Sequence, residues 1–284
     1  QVRGFDDSIS EKLHELRPHR GQILIAKALR KILADSRMIR SRDDFQKNHE
    51  TLDEVHKITE EVQQVYSLRC IPQILGPVLD TLSKVRKDVE TEINSVTDNP
   101  IVYYQEKKFL HGGNFHGDYI AAAIDQLKMT LVKLTMLSER QINFFLNDKV
   151  NRIFPPFMNL NKPGLTLALQ GLNFVATSTT AQSQTLAFPH YVHSIPTNAD
   201  NQDLVSMGTD AALLASKVID NAYIVLAIEL ITLAQGVDTF EEKEGFSKPS
   251  RLIFEKLRAV FPKVVQDRTM VSELPKVIEL IKTS

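Results

Sequence analysis

Between Gly117 and Asn147 the chain contains neither glycine nor proline, and Ile120, Ile124, Leu127, Leu131 and Leu134 recur in alternating steps of four and three. That rhythm is the narrow apolar seam of long helices packed side by side, because a repeat near 3.5 residues keeps one stripe facing its neighbour. A β-strand cannot use it, since successive side chains on a strand alternate between the two faces of a sheet.

The flanking sequence follows the same logic. Gln22–Asp35 carries Ile25, Leu29 and Ile32 at helical spacing, Leu52, Val55, Ile58 and Val62 repeat the pattern, and Val78, Leu82, Val85, Val89 and Ile93 extend it. Asp98-Asn99-Pro100 stops that stripe. Ile101–Leu110, with Ile-Val-Tyr-Tyr before a charged turn, predicts a small hairpin. Pro155-Pro156 and Pro163-Gly164 bracket a rigid loop, and Leu165–Leu186 begins apolar and becomes rich in Ser, Thr and Gln. Asp203–Gln235 reads as a helix that Asp203 caps at its start and Gly236 at its end. Its segment Ala222–Ile228 is apolar on every side and so belongs inside a bundle. Two shorter helices, around Arg251–Phe261 and Ser272–Lys282, finish the chain. Only 11 of 284 residues are glycine, which also favours helices over turn-rich sheet. The expected fold is all-α: one helical unit over residues 1–284, a bundle of long, near-parallel helices with a small hairpin and irregular loops that hold the site. Seams of this length imply partner helices from further polypeptide or from other copies of the chain.

Charge narrows the partners. Lys+Arg 34 against Asp+Glu 35 leaves a formal charge of −1, which gives no electrostatic footprint for nucleic acid or an anionic membrane. The apolar run Ala222–Ile228 is far shorter than the roughly 20 residues that span a bilayer. A single cysteine, Cys70, fits a reducing, cytoplasmic compartment. The chain opens on Gln1 rather than methionine, and reads as a piece of a longer polypeptide.

Four stretches break the bundle pattern with polar or small residues: Gln63–Pro72, Asn94–Pro100, His111–Gly117 and Ser194–Gly208. In the first, Tyr66 and Arg69 stand three apart and share one helix face. A guanidinium beside a phenol favours the phenolate, and a tyrosine used as a base needs such help because an ordinary one ionises near pH ~10. The guanidinium fork also suits bidentate recognition of a carboxylate. A plain helix-end tyrosine beside a surface arginine has the same spacing. His111-Gly-Gly-Asn-Phe-His116-Gly lacks the phosphate-cradle pattern, with no lysine after its glycines. Its histidines, with His190 and His193, lack an acidic partner at metal-ligand spacing, so no metal is expected. The amides of Ser194–Asp203 serve equally to finish a helix N-terminus or to orient polar groups of a substrate.

Taken in order, Tyr66-Ser-Leu-Arg-Cys-Ile-Pro-Gln-Ile-Leu-Gly76, Asn94-Ser-Val-Thr-Asp-Asn-Pro100, Gly112-Gly-Asn-Phe-His-Gly117 and Ser194-Ile-Pro through Asn201-Gln-Asp-Leu-Val-Ser-Met-Gly208 resemble the signature blocks of the aromatic amino acid ammonia-lyase family. That family includes histidine, phenylalanine and tyrosine ammonia-lyases and related aminomutases. The resemblance is dense from Gln63 to Gly208, thinner at both ends, and nearest in flavour to the bacterial tyrosine ammonia-lyases. It implies elimination of ammonia from an aromatic L-amino acid to give an α,β-unsaturated acid. The electrophile would be a 4-methylideneimidazol-5-one group formed from an internal Ala-Ser-Gly, and the assembly a homotetramer whose sites draw on several subunits. This chain contains no Ser-Gly dipeptide, so the electrophile is expected upstream, and the chain by itself is expected to be silent.

By the same resemblance Tyr66 is the general base for the β-proton and Arg69 the carboxylate clamp. Gln63 supports Tyr66 by hydrogen bonding, and Phe115 sits beside the electrophile and the substrate ring. Asn201 and Gln202 form an amide pair lining the site, and Gln170 lines the pocket. Histidine ammonia-lyases typically carry Gln-Glu-Asp where this chain has Asn201-Gln202-Asp203; neutral Gln202 suits a phenyl or phenol ring better than an imidazole, which favours tyrosine or phenylalanine. The alternatives are a histidine ammonia-lyase, an aromatic aminomutase and a non-catalytic helical scaffold. The fumarase and argininosuccinate lyase superfamily shares long helices, but its Gly-Ser-Ser-x-Met-Pro loop is absent.

Overall fold

A computed structural model describes residues 4–47 and 61–283. The helices are α1 (Glu11–Glu15), α2 (Arg20–Leu33), α3 (Arg42–Lys47), α4 (Tyr66–Arg69), α5 (Ile71–Glu92), α6 (Asp118–Leu146), α7 (Asp148–Asn151), α8 (Gln170–Leu186), α9 (Gly208–Val237), α10 (Lys248–Val260) and α11 (Leu274–Lys282). Strands β1 (Ile101–Tyr103) and β2 (Lys108–Leu110) pair antiparallel and form the expected hairpin. Of the second sequence stripe, Leu52, Val55 and Ile58 lie outside the described residues.

The centre is two long helices running the same way. α6 and α9 start together, with Gly208 against the Gly117 carbonyl, and remain in step as far as Ser138 and Glu229. α4 and α5 run against α6, so that Ser67 of α4 meets Gln141 while Thr81 of α5 lies with Gln126. α8 also runs antiparallel, with Thr177 bonded to Glu139 and Phe188 reached by Lys128. α2 crosses α5 at Gly21 and Gly76, where a Cβ on Gly21 would stand 2.1 Å from the Gly76 carbonyl oxygen. Only a residue with no side chain permits that approach.

The buried seam of α6 is offset by one residue from the expected one. Ala121, Asp125, Lys128, Val132, Thr135, Glu139, Ile142 and Leu146 are buried, in the same four-three rhythm, whereas Ile120, Ile124, Leu127, Leu131 and Leu134 are half-buried beside them. The reason is that α6 has neighbours on several sides, and polar residues are taken in where they find partners. Lys128 and Asp125 form an ion pair at 2.8 Å; Lys128 Nζ donates to the Phe188 carbonyl and Asp125 accepts from the Tyr191 amide. An apolarity rule misses such positions.

α9 is long and apolar enough to cross a membrane by length and composition. It is packed against α6, α8, α10 and α11 and buries Asn221, Thr232 and Gln235 among them. Asn221 donates to Gln182 and Ser183, and Gln235 exchanges two hydrogen bonds with the Val264 backbone. Its ends correct the sequence reading. The helix begins at Gly208, after Met207, and Asp203 lies exposed in the preceding loop. Gly236 is no cap but lies inside the last turn, where a Cβ would meet Met158 Cε at 3.0 Å. The missing side chain serves packing rather than a left-handed turn. α8 likewise starts only at Gln170, since residues before it form loops around Asn159 and Thr166.

The main core lies at the carboxyl end of α6 and α9, where Ile142, Leu146, Phe154, Met158, Leu169, Leu172, Ile228, Ile231, Leu257 and Phe261 pack together. Asn151 closes α6 there, donating to the Phe144, Phe145 and Asn147 carbonyls and accepting from the Ile153 and Phe154 amides. Beside it is an apolar cavity of about 380 Å³ between α2, α9 and α10, lined by Leu29, Leu68, Phe154, Leu233, Phe240 and Phe254 among others.

Candidate active site

Three of the four polar stretches converge at the amino end of α6 and α9. Asn99 Oδ1 accepts from the Gly112 amide at 2.9 Å, tying the second stretch to the third. The Gly117 amide donates to Ser206 Oγ at 3.1 Å, and the His116 ring stands 3.2 Å from the Leu204 carbonyl, tying the third to the fourth. A Cβ at Gly117 would stand 3.1 Å from the same Ser206 hydroxyl, a tight contact. Within the fourth stretch, Thr197 and Gln202 exchange backbone hydrogen bonds across Asn198, Ala199 and Asp200, all with positive φ. Ser194 Oγ accepts from the Val205 amide. The result is a tight turn that leaves Asn201 and Gln202 exposed; Phe115, next to His116 in the third stretch, is 57% exposed.

The first stretch lies at the opposite end. α4 is one turn of helix, and on it the Arg69 guanidinium stacks 4.8 Å from the centre of the Tyr66 ring. The i,i+3 expectation therefore holds in space. Tyr66 is 69% exposed, and Arg69 makes no ion pair among the described residues; its Nε is buried with no hydrogen-bond partner there. Gln63 lies exposed three residues before Tyr66. Gln170 opens α8, whose antiparallel course brings its start to the same end, where Leu169 and Leu172 join the core around Ile142 and Leu146.

The seven nominated residues thus fall into two groups: Gln63, Tyr66, Arg69 and Gln170 toward the carboxyl end of α6, and Phe115, Asn201 and Gln202 at its amino end. At a rise of 1.5 Å per residue, the helix between Gly117 and Gln141 holds the groups about 35 Å apart. Within this chain they do not form one pocket. Of the side chains that sequence reasoning brought out, Gln63, Tyr66, Phe115, Asn201 and Gln202 are exposed, and Arg69 and Gln170 are half-buried. That reasoning missed the ties beneath them: Gln141, whose amide donates to the Ser67 carbonyl at 2.6 Å, and the Ser206 bond to Gly117. A contact across 74 positions leaves no local signal in a sequence. Among the described residues no cluster of three or more His, Cys, Asp or Glu is arranged to hold a metal ion.

Comparisons with known proteins identify the family. A family model described as aromatic amino acid lyase matches residues 1–259. Histidine ammonia-lyase 1 of Fusobacterium nucleatum is 35% identical over 283 residues, covering 100% of this chain and 52% of that protein. Tyrosine ammonia-lyase of Cupriavidus metallidurans is 35% identical over 269 residues, covering 94% and 50%. The crystal structure of tyrosine aminomutase from Streptomyces globisporus superposes with a TM-score of 0.92 at 35% identity, over 99% of this chain and 54% of that one. The chain therefore spans about half the length of the curated relatives it matches. Its helical fold, its signature stretches and these matches place it in one family: the chain belongs to the aromatic amino acid lyases.

Proposed function

We propose that this chain supplies the proton-abstracting and carboxylate-binding part of an enzyme that eliminates ammonia from an aromatic L-amino acid, with tyrosine the favoured substrate. The observation that carries the reading is the Tyr66–Arg69 pair, stacked on the turn α4 with the guanidinium unclaimed by any carboxylate of the described residues. Arg69 donates to the substrate carboxylate and so fixes Cβ near the Tyr66 oxygen. Tyr66 then takes the β-proton as the general base. As that proton leaves, the Cβ–H electron pair becomes the new C=C bond and the Cα–N bond breaks, releasing ammonia. A weakly acidic β-proton requires both a strong, well-placed base and an activated leaving amine.

The activation would come from a 4-methylideneimidazol-5-one group, an electrophile toward the amine. The residues present cannot form it, since the sequence holds no Ala-Ser-Gly, so the group belongs to polypeptide outside this chain. The separation of the two residue groups supports a composite site. In a homotetramer, Tyr66, Arg69, Gln63 and Gln170 of one copy would face Phe115, Asn201 and Gln202 of another. Phe115 offers an aromatic wall, and the two amides offer neutral hydrogen-bonding groups suited to a phenol.

A second reading, a histidine ammonia-lyase, is favoured by a histidine-named relative at the same identity as the tyrosine-named one. A third, an aminomutase, draws on the Streptomyces globisporus structure. Incubating the whole enzyme with tyrosine, phenylalanine and histidine in turn separates these readings. Coumarate formation is the expected result; urocanate formation from histidine alone, or a β-amino acid product, would replace it. This chain alone should release none of these acids, and measurable release would overturn the assignment of the electrophile elsewhere.

A further inference from the structure

The turn that carries Tyr66 and Arg69 is weakly built. α4 has four residues, no side chain caps its start, and the helix breaks at Cys70, whose φ of −103° and ψ of 18° leave the helical region before α5 begins. Such a break frees carbonyl groups that a continuous helix would satisfy four residues on. The Ser67 carbonyl, between Tyr66 and Arg69, accepts instead from Gln141 Nε2 on α6 at 2.6 Å. Gln141 is half-buried near the carboxyl end of a 29-residue helix whose neighbours Ile142 and Leu146 are in the core. One end of this bond is thus fixed by the bundle, and the other lies in a half-buried turn whose Tyr66 side chain is exposed.

From this geometry we infer that Gln141 is a positioning residue, setting the place of Tyr66 and Arg69 together through the Ser67 carbonyl; the inference rests on the reading of that pair given above. Gln141 does not touch the substrate. Its effect is transmitted through one backbone group lying between the base and the clamp, so losing the tether displaces both. Displacing Arg69 weakens carboxylate binding, and displacing Tyr66 slows proton removal. KM and kcat therefore move together, unlike the loss of active protein, which lowers apparent kcat alone.

The test uses the whole enzyme and three variants. Gln141→Glu keeps the shape but loses the N–H donor; Gln141→Lys restores a donor on a flexible arm; Tyr66→Phe reports on the underlying reading. The expected result for Gln141→Glu is a KM raised about 5-fold or more and a kcat lowered about 10-fold, with the oligomeric state unchanged and the thermal midpoint lowered by no more than one lost hydrogen bond costs, about 2–4 °C. Gln141→Lys should recover most of both constants. If Gln141→Glu is kinetically normal while Tyr66→Phe is inactive, the positioning role is wrong and the reading of the pair stands. A fall in kcat at constant KM, with a midpoint lowered by more than one hydrogen bond accounts for and no recovery in Gln141→Lys, makes Gln141 merely structural and also overturns the role. If Tyr66→Phe retains full turnover, the reading of the pair fails and the inference with it.

Discussion

The two ends of the α6–α9 pair are built on different principles. At the carboxyl end, stability comes from apolar burial: Ile142, Leu146, Phe154, Ile228, Ile231 and Leu257 close a core, and the turn α4 that carries Tyr66 and Arg69 is tied to α6 by the Gln141 hydrogen bond. At the amino end, order comes from polar cross-ties among three loops, Asn99 to Gly112, His116 to Leu204, and Gly117 to Ser206, with Phe115 and the amides of Asn201 and Gln202 left outside. The difference separates fold from chemistry. Core substitutions should be felt in stability, and loop or turn substitutions in turnover.

The largest effect is expected at the turn. Tyr66→Phe in the whole enzyme should lower kcat by about 10²- to 10⁴-fold, as removal of a general base does, while circular dichroism and assembly stay unchanged. In the core the balance reverses. Ile231→Ala, at a fully buried position of α9, should cost about 2–5 kcal/mol in denaturant unfolding. A cost under about 1 kcal/mol would mean that the carboxyl end is not the anchor of the fold.

Glu229 gives the comparison a pH dependence. Burial pushes its carboxyl up to about 7, only partly opposed by the hydrogen bond with Ser138. A raised carboxyl means that the folded chain holds a proton the unfolded chain releases. The stability from this site is full below about pH 4.5 and is lost as the pH rises to and through about 7. The total is on the order of 3 kcal/mol. Glu229→Gln should flatten that part of the profile and make the protein more stable than the parent at pH 8, measured by thermal unfolding at fixed ionic strength. Smallest of all, Ser206→Ala removes one cross-tie at the amino end and should cost about 1 kcal/mol, with a larger proportional loss in turnover than in stability.

Much of the fold was legible beforehand, and what was not has identifiable causes. Helix spacing marked α2, α5, α6 and α9, and the Asn99-Pro100 stop and Ile-Val-Tyr-Tyr run marked the hairpin, because those signals are local. The one-residue offset of the α6 seam was not legible, since Asp125 and Lys128 are buried only by virtue of each other and of the loop at Phe188 and Tyr191. Gly236 was mistaken for a cap because the sequence does not show Met158 against it. The stacking of Arg69 on Tyr66 followed from their spacing. Their distance from Phe115 and Asn201 depended on which end of a long helix each loop attaches to, and no residue pattern encodes that directly.

The composite site is tested most directly by mixing defects from the two ends. Tyr66→Phe and Phe115→Ala variants of the whole enzyme, each inactive alone, are co-expressed and their ammonia release from tyrosine is measured. If one copy's turn works with another copy's loops, some sites in mixed assemblies carry neither substitution, and a measurable share of activity returns. If mixed assemblies form and stay as inactive as either variant alone, the two ends do not meet in one site and the account is contradicted.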